Sequence, residues 1–120
     1  MIFLNCILDV IDNSGVLKFK YINNLNKNKY PKYGDILIGI VYKLYNNNLY
    51  KKSDKCKGIL VQMKTFLNFK KYYALKFSKN AVLILNDNLS CIGTKSNYYI
   101  SKYLKKYNNI NFKKLNLKFI

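Results

Sequence analysis

Short β-type runs cut apart by polar turns fill the first 85 residues, and this pattern limits the fold more than any other feature of the chain. Residues 3–11 (FLNCILDVI) and 16–22 (VLKFKYI) flank Asp12-Asn13-Ser14-Gly15, whose residue types suit a tight turn joining two strands. In the second run Val16, Lys18, Lys20 and Ile22 share one strand face, and Leu17, Phe19 and Tyr21 the other. That alternation sends Leu17, Phe19 and Tyr21 into a core and Lys18 and Lys20 outward. A polar loop over residues 23–35 holds the single proline, Pro31. Residues 36–42 (ILIGIVY) are apolar on both faces, so this strand is expected to be central. Asn46-Asn47-Asn48 reads as a turn, and residues 56–65 as a long strand with a bulge or bend at Gly58. Residues 66–74 read as a loop or hairpin tip, and 75–77 and 81–85 as the last strands. Many short strands at this spacing indicate a small closed barrel, which leaves no open edge.

The tail follows a different period. Ile100, Tyr103, Leu104 and Tyr107 fall at i, i+3, i+4 and i+7, the spacing of one helical face. Ser101, Lys102, Lys105 and Lys106 fall on the other side. The chain therefore reads as one domain over residues 1–120: a mainly β barrel over about 1–95 and a short basic C-terminal helical extension over about 96–120. A chain of 120 residues buries roughly two-thirds of its unfolded surface, enough for a real core.

Charge narrows the function. The formal net charge is +17: all 22 basic residues are Lys, and the five acids are Asp9, Asp12, Asp35, Asp54 and Asp87. Self-repulsion at that charge calls for a polyanionic partner, and nucleic acid is the usual one. Lys, Asn, Ile, Tyr and Phe make up 72 of the 120 residues, all from codons built mainly of A and T. Such a bias inflates Lys by itself, but it should also admit Glu, and there is none. We therefore read the charge as selected and the codon bias as a clue to the genome of origin.

The same inventory argues against catalysis. With no His, Ser-His and Cys-His nucleophiles have no base. With no Glu, carboxylate chemistry rests on five aspartates, four of them at turns or strand ends where Asp caps backbone donors anyway. Asp35 (after YG) and Asp54 (after KKS) fit that capping role. No glycine-rich phosphate loop is present. Cys6, Cys56 and Cys91 are odd in number and far apart, so neither a disulfide framework nor a zinc ribbon is expected, and they read as small half-buried thiols. No cofactor, metal or small-molecule substrate is implied. The first ten residues contain Asn5 and Asp9 and lack a basic lead-in, so they read as a strand and not as a signal or transit peptide. No run approaches the roughly 18 apolar residues of a membrane helix.

Binding has more support. Lys51, Lys52, Lys55 and Lys57 cluster at a strand entrance. Lys70 and Lys71 sit beside Tyr72, Tyr73, Phe66 and Phe69, and Lys102, Lys105 and Lys106 line the tail. Lysines interleaved with aromatics suit a phosphate backbone with occasional unstacked bases. No recognition helix or finger spacing appears, so binding by charge and shape is expected instead of sequence readout.

Five ordered blocks then carry a resemblance. Asp12-Asn13-Ser14-Gly15 after ILDVI, Tyr33-Gly34-Asp35-Ile36-Leu37, and Lys51-Lys52-Ser53-Asp54 followed by Gly58-Ile59-Leu60-Val61 come first. The stretch FSKNAVLILN (residues 77–86) and Ile92-Gly93-Thr94-Lys95 complete them. In this order they resemble the universal large-subunit ribosomal protein fourteen family over essentially the whole chain. The resemblance implies a five-stranded β-barrel with a C-terminal helical extension and no enzymatic role. It implies binding to large-subunit rRNA, contact with small-subunit rRNA at the subunit interface, and contact with neighbouring large-subunit proteins. Family basic positions fall on Lys18, Lys51, Lys52, Lys57, Lys76, Lys95, Lys102 and Lys105; Lys20, Lys70 and Lys71 join them from the strand alternation and the charge clusters. Where the family uses Arg, Lys keeps the charge but loses the bidentate fork. The chain departs from the family at Asn26-Lys27, at Lys70-Lys71-Tyr72 and over residues 96–100, where Gly and Pro are lost. The codon bias together with a bacterial-type ribosomal resemblance points to an organelle ribosome, a relict plastid (apicoplast) first and a mitochondrion as the alternative. A free-standing single-stranded nucleic-acid binding barrel remains the rival reading, and a small aspartate enzyme the more distant one.

Overall fold

The computed structural model describes residues 2–25, 30–45, 50–65, 67–70, 73–96, 98–101, 104 and 118–119. Its strands are β1 (Ile7–Val10), β2 (Val16–Asn24), β3 (Ile36–Leu44), β4 (Lys55–Gln62), β5 (Leu67–Lys70), β6 (Tyr73–Leu75), β7 (Ala81–Leu85), β8 (Tyr99–Ile100) and β9 (Lys118–Phe119). Five of them close into a barrel in the order β1-β2-β3-β4-β7. Its neighbours are antiparallel except for the closing β1–β7 pair, which is parallel. β5 and β6 form a separate two-stranded hairpin, and β8 and β9 a short parallel pair.

The barrel interior is filled by every second residue of each strand. Leu8, Phe19, Tyr21, Leu37, Val41, Leu60, Val82 and Ile84 are all buried there. Because the sheet closes on itself, no strand is central in the open-sheet sense. The apolar outer residues Ile36, Ile38 and Ile40 of β3 are therefore only half-buried.

Three bulges correct the expected alternation. Leu17 was expected inside and Val16 outside, but Val16 is buried and Leu17 is exposed. The β2–β3 register shifts between Val16 and Lys18, between Lys18 and Phe19, and between Tyr21 and Asn23. Each shift leaves one residue without an opposite number: Leu17, then Tyr42 on β3, then Ile22. All three are exposed, because the extra residue of a bulge puts two neighbours on the same side. Gly58 is not a bulge. It keeps register with both Leu37 and Ile84, and the β4 shift falls between Leu60 and Gln62 instead.

Other boundaries move for local reasons. The first strand begins only at Ile7, because Phe3–Cys6 turns back on itself with Asn5 at a φ of 66°. Asn tolerates that left-handed conformation better than most residues. β2 and β3 run two residues further than expected, β4 stops at Gln62, and Phe77 lies outside any strand. The expected turn at Asn46-Asn47-Asn48 lies outside the described residues. Cys56 and Cys91 are buried, against the half-burial expected of all three thiols, and only Cys6 is intermediate.

The tail is not a free helical face where it is described. Ile100 belongs to a strand, and Ser101, expected on the polar side, is buried together with Leu104. Among the described residues there is no helix longer than a single turn. The helix expected around Tyr103 and Tyr107 falls on residues outside the described set. β7 is buried on both faces, Ala81 to Leu85 alike. Gln62 Nε2 donates to the Tyr99 carbonyl at 2.7 Å and Ser96 Oγ to the Ile11 carbonyl at 2.7 Å. These bonds tie Tyr99 to the end of β4 and Ser96 to the residue that follows β1.

The turn between β1 and β2 is a clamp. Asp12 Oδ1 accepts from Ser14 N at 3.1 Å and Ser14 Oγ at 2.6 Å, while Oδ2 accepts from Ile84 N at 3.1 Å. Asn13 Oδ1 accepts from the backbone of Thr94 at 2.7 Å and Lys95 at 3.0 Å. Gly93 is needed there, since a Cβ on it would come within 2.8 Å of Asp12 Cβ. Two blocks 80 residues apart in sequence thus interlock.

Burial raises the Asp12 carboxyl above its ordinary value, against the lowering effect of the Ser14 and Ile84 hydrogen bonds. A raised folded-state value means that the group's contribution is complete below its unfolded pKa and fades as pH climbs through the folded one. The stability advantage of the native chain over Asp12→Asn should therefore shrink between about pH 4 and neutrality. Thermal melts of both chains across that range measure it, and an advantage that grows with pH would contradict the assignment.

Candidate nucleic-acid interface

The closed register lines up the outward residues of β2, β3 and β4 in rows. Lys20 stands opposite Ile40, which stands opposite Lys55. Ile38 stands opposite Lys57, which stands opposite Leu85. Lys18 pairs with Lys43 across the bulges. With strands about 4.8 Å apart, Lys20 and Lys55 are separated by about 10 Å of backbone across the face. The result is a basic surface with a half-buried isoleucine stripe through it.

Lys51 and Lys52 are exposed on the turn that leads into β4. That turn is fixed by Asp54, whose Oδ2 accepts from Lys51 N at 2.7 Å, and by Ser53 at a φ of 71°. Ser53 N and Val41 N close it through bonds to the Val41 and Asp54 carbonyls. The lysines are therefore displayed by a rigid loop.

Lys18 is engaged differently from its neighbours. Its Nζ pairs with Asp9 directly across the β1–β2 ladder. Both side chains are partly exposed, so the pair contributes about 0–1 kcal/mol and can be traded for a phosphate. Lys20 and Lys57 lie on the same outer face, half-buried along their stems.

The remaining sequence-predicted positions are scattered. Lys70 ends β5 opposite Tyr73, and Lys76 is exposed just beyond β6. Lys95 is exposed beside the β1–β2 clamp, its backbone held by Asn13. Lys71, Lys102 and Lys105 lie outside the described residues.

Sequence reading missed Lys43 and left Lys55 as one member of a cluster. Lys43 escaped because the strand was expected to end at residue 42; the bulge at Tyr42 is what carries it onto the face. Lys79 was also unremarked, and its Nζ lies 4.0 Å above the Tyr98 ring, a cation–π contact.

The aspartates behave as caps. Asp35 is fully buried and accepts from Lys32 N at 2.8 Å and Asn24 Nδ2 at 3.1 Å. With Asp12 and Asp54 likewise spent on backbone donors, their oxygens hold turns in shape. Among the described residues no three His, Cys, Asp or Glu side chains come together as metal ligands. The Cys56 thiol is pushed up to about 12, first by burial and then by Asp54, so it stays protonated and unreactive at neutral pH.

Comparison with known proteins matches nearly the whole chain. The family model described as ribosomal protein L14p/L23e matches residues 1–117. A protein of Eimeria tenella named large ribosomal subunit protein uL14c is 33% identical over 118 residues, covering 98% of each chain. Its counterpart of the same name in Toxoplasma gondii is 32% identical over 114 residues, covering 94% of this chain and 92% of its own.

Proposed function

This chain belongs to the ribosomal protein L14p/L23e family, and from that premise we propose that it is a structural constituent of the large ribosomal subunit of a plastid ribosome. The full-length family match carries the reading. The plastid placement is supported by the two apicomplexan relatives, and the AT-type composition fits an apicoplast gene.

Within that assignment, the outer face of β2–β4 binds large-subunit rRNA through phosphate contacts from Lys18, Lys20, Lys51, Lys52 and Lys57, with Lys43 and Lys55 beside them. Lys70, Lys71, Lys76, Lys95, Lys102 and Lys105 extend the contact around the barrel and along the tail. Part of this surface faces small-subunit rRNA in the assembled ribosome. The apolar end of the barrel, where Phe3, Leu4, Ile7 and Ile22 are exposed, suits a neighbouring ribosomal protein. No catalytic role is assigned to the protein: Asp12, Asp35 and Asp54 hold turns and Asp9 pairs with Lys18.

The test is sedimentation of the tagged chain from isolated organelles on a sucrose gradient, with rRNA measured in each fraction. Co-migration with large subunits, released only by high salt because phosphate contacts carry the affinity, is expected. A peak at the top of the gradient would replace this reading with a free nucleic-acid binding barrel.

A further inference from the structure

A groove of about 350 Å³ opens on the barrel wall where β3, β4 and β7 run side by side. Ile38 and Leu85 line it, in the same register row as Lys57. Lys55 and Lys57 stand two residues apart on β4, hence on one face, and Tyr50, Cys56, Asn86 and Asp87 also line the groove. The groove is thus apolar within, cationic along one strand and acidic at one point of its rim. It is continuous with the lysine rows described above.

We propose that this groove holds a single unpaired nucleotide of the bound RNA, its base against Ile38, Leu85 and Tyr50 and its phosphates on Lys55 and Lys57. This deepens the rRNA-binding reading and rests on it. Three observations favour that occupant. The volume sits at the small end of ligand pockets, room for one nucleotide and too little for a helix. A duplex offers phosphates but no free base face, so it would leave the apolar lining unused; an unstacked base uses it. The charges are arranged for a nucleotide as well: two lysines take the backbone, and Asp87 offers an acceptor to the exocyclic amine of adenine or cytosine. An anionic peptide would match the lysines but would meet Asp87 with like charge.

The experiment uses the full chain with two fluorescent probes, hexa-adenylate and an abasic hexamer of the same phosphate count. Hexa-adenylate should bind about tenfold more tightly, the effect of one base against an aromatic and apolar site. Tyr50→Ala and Ile38→Ser should each remove that difference while leaving abasic binding unchanged, with melting curves confirming that both variants fold. The Ile38 methyl resonance should shift with hexa-adenylate and not with the abasic strand, a readout that needs no variant. Equal binding of the two probes, or an unmoved Ile38 methyl, would overturn the proposal and leave a phosphate-only surface. Failure of the ribosomal reading would look different: the chain would leave the large-subunit fractions whatever the two hexamers do.

Discussion

Replacing Lys20, Lys43, Lys55 and Lys57 together by glutamine will weaken binding to large-subunit rRNA by about two orders of magnitude at moderate salt and flatten its salt dependence by about three units of slope. The four residues face outward on β2, β3 and β4, and the register sets them around the same isoleucine stripe. A lysine on a phosphate releases a counterion, and each such contact adds somewhat less than one unit to the slope of log affinity against log salt. Glutamine keeps part of the aliphatic stem beside the isoleucine stripe, so the fold should be untouched. Titration of rRNA fragments at several salt concentrations reads both quantities at once. An unchanged slope would mean that the RNA sits elsewhere, and the hairpin and tail lysines would become the candidates.

Gly39→Ala should be the most damaging single-methyl change in the barrel. Gly39 lies inside, opposite Tyr21, where the Phe19 ring leans over it. A Cβ at this position would collide with the Lys20 carbonyl oxygen and come within 2.5 Å of Phe19 Cζ. The ring could turn away, but Phe19 is completely buried and the carbonyl is backbone in the β2–β3 ladder. Overpacking of this kind costs about 1–3 kcal/mol, and more when backbone must move. For a chain of this length a loss of about 3 kcal/mol lowers the melting temperature by about 10 °C or more. Calorimetry decides it; a variant melting within a degree or two of the native chain would show that the strands slide apart freely here.

What could be read in advance follows the range of each interaction. The five barrel strands were legible because a strand advertises itself within a few residues, through alternation and turn chemistry. Asp35 and Asp54 were legible as caps for the same reason, since the backbone donors they satisfy lie three residues away. Asp12 was legible only in part. Its bonds to Ser14 belong to the turn, but its bond to Ile84 spans 72 residues and its burial comes from the whole barrel.

The candidate site divides along the same line. Lys18 and Lys20 are placed outward by alternation alone, and Lys57 enters through its charge cluster and the family resemblance; the structure puts all three on the outer face. Lys43 was invisible, because a bulge is a property of two strands in register and not of either one. The exchange of Val16 and Leu17 has that cause too: both are apolar, and only the pairing with β3 decides which of them turns inward.

The sequence by itself determined the barrel strands, the charge and the family, since backbone preference, side-chain period and composition are local properties. The tertiary structure alone decided the closure of β1 on β7, the three bulges and the hydrogen bonds that Ser96 and Tyr99 make to the barrel. It also decided the meeting of Ile38, Lys57 and Leu85 in one row. Each of these depends on which residue stands opposite which, and that choice is settled only when the core closes and a one-residue slip would turn buried side chains out to water.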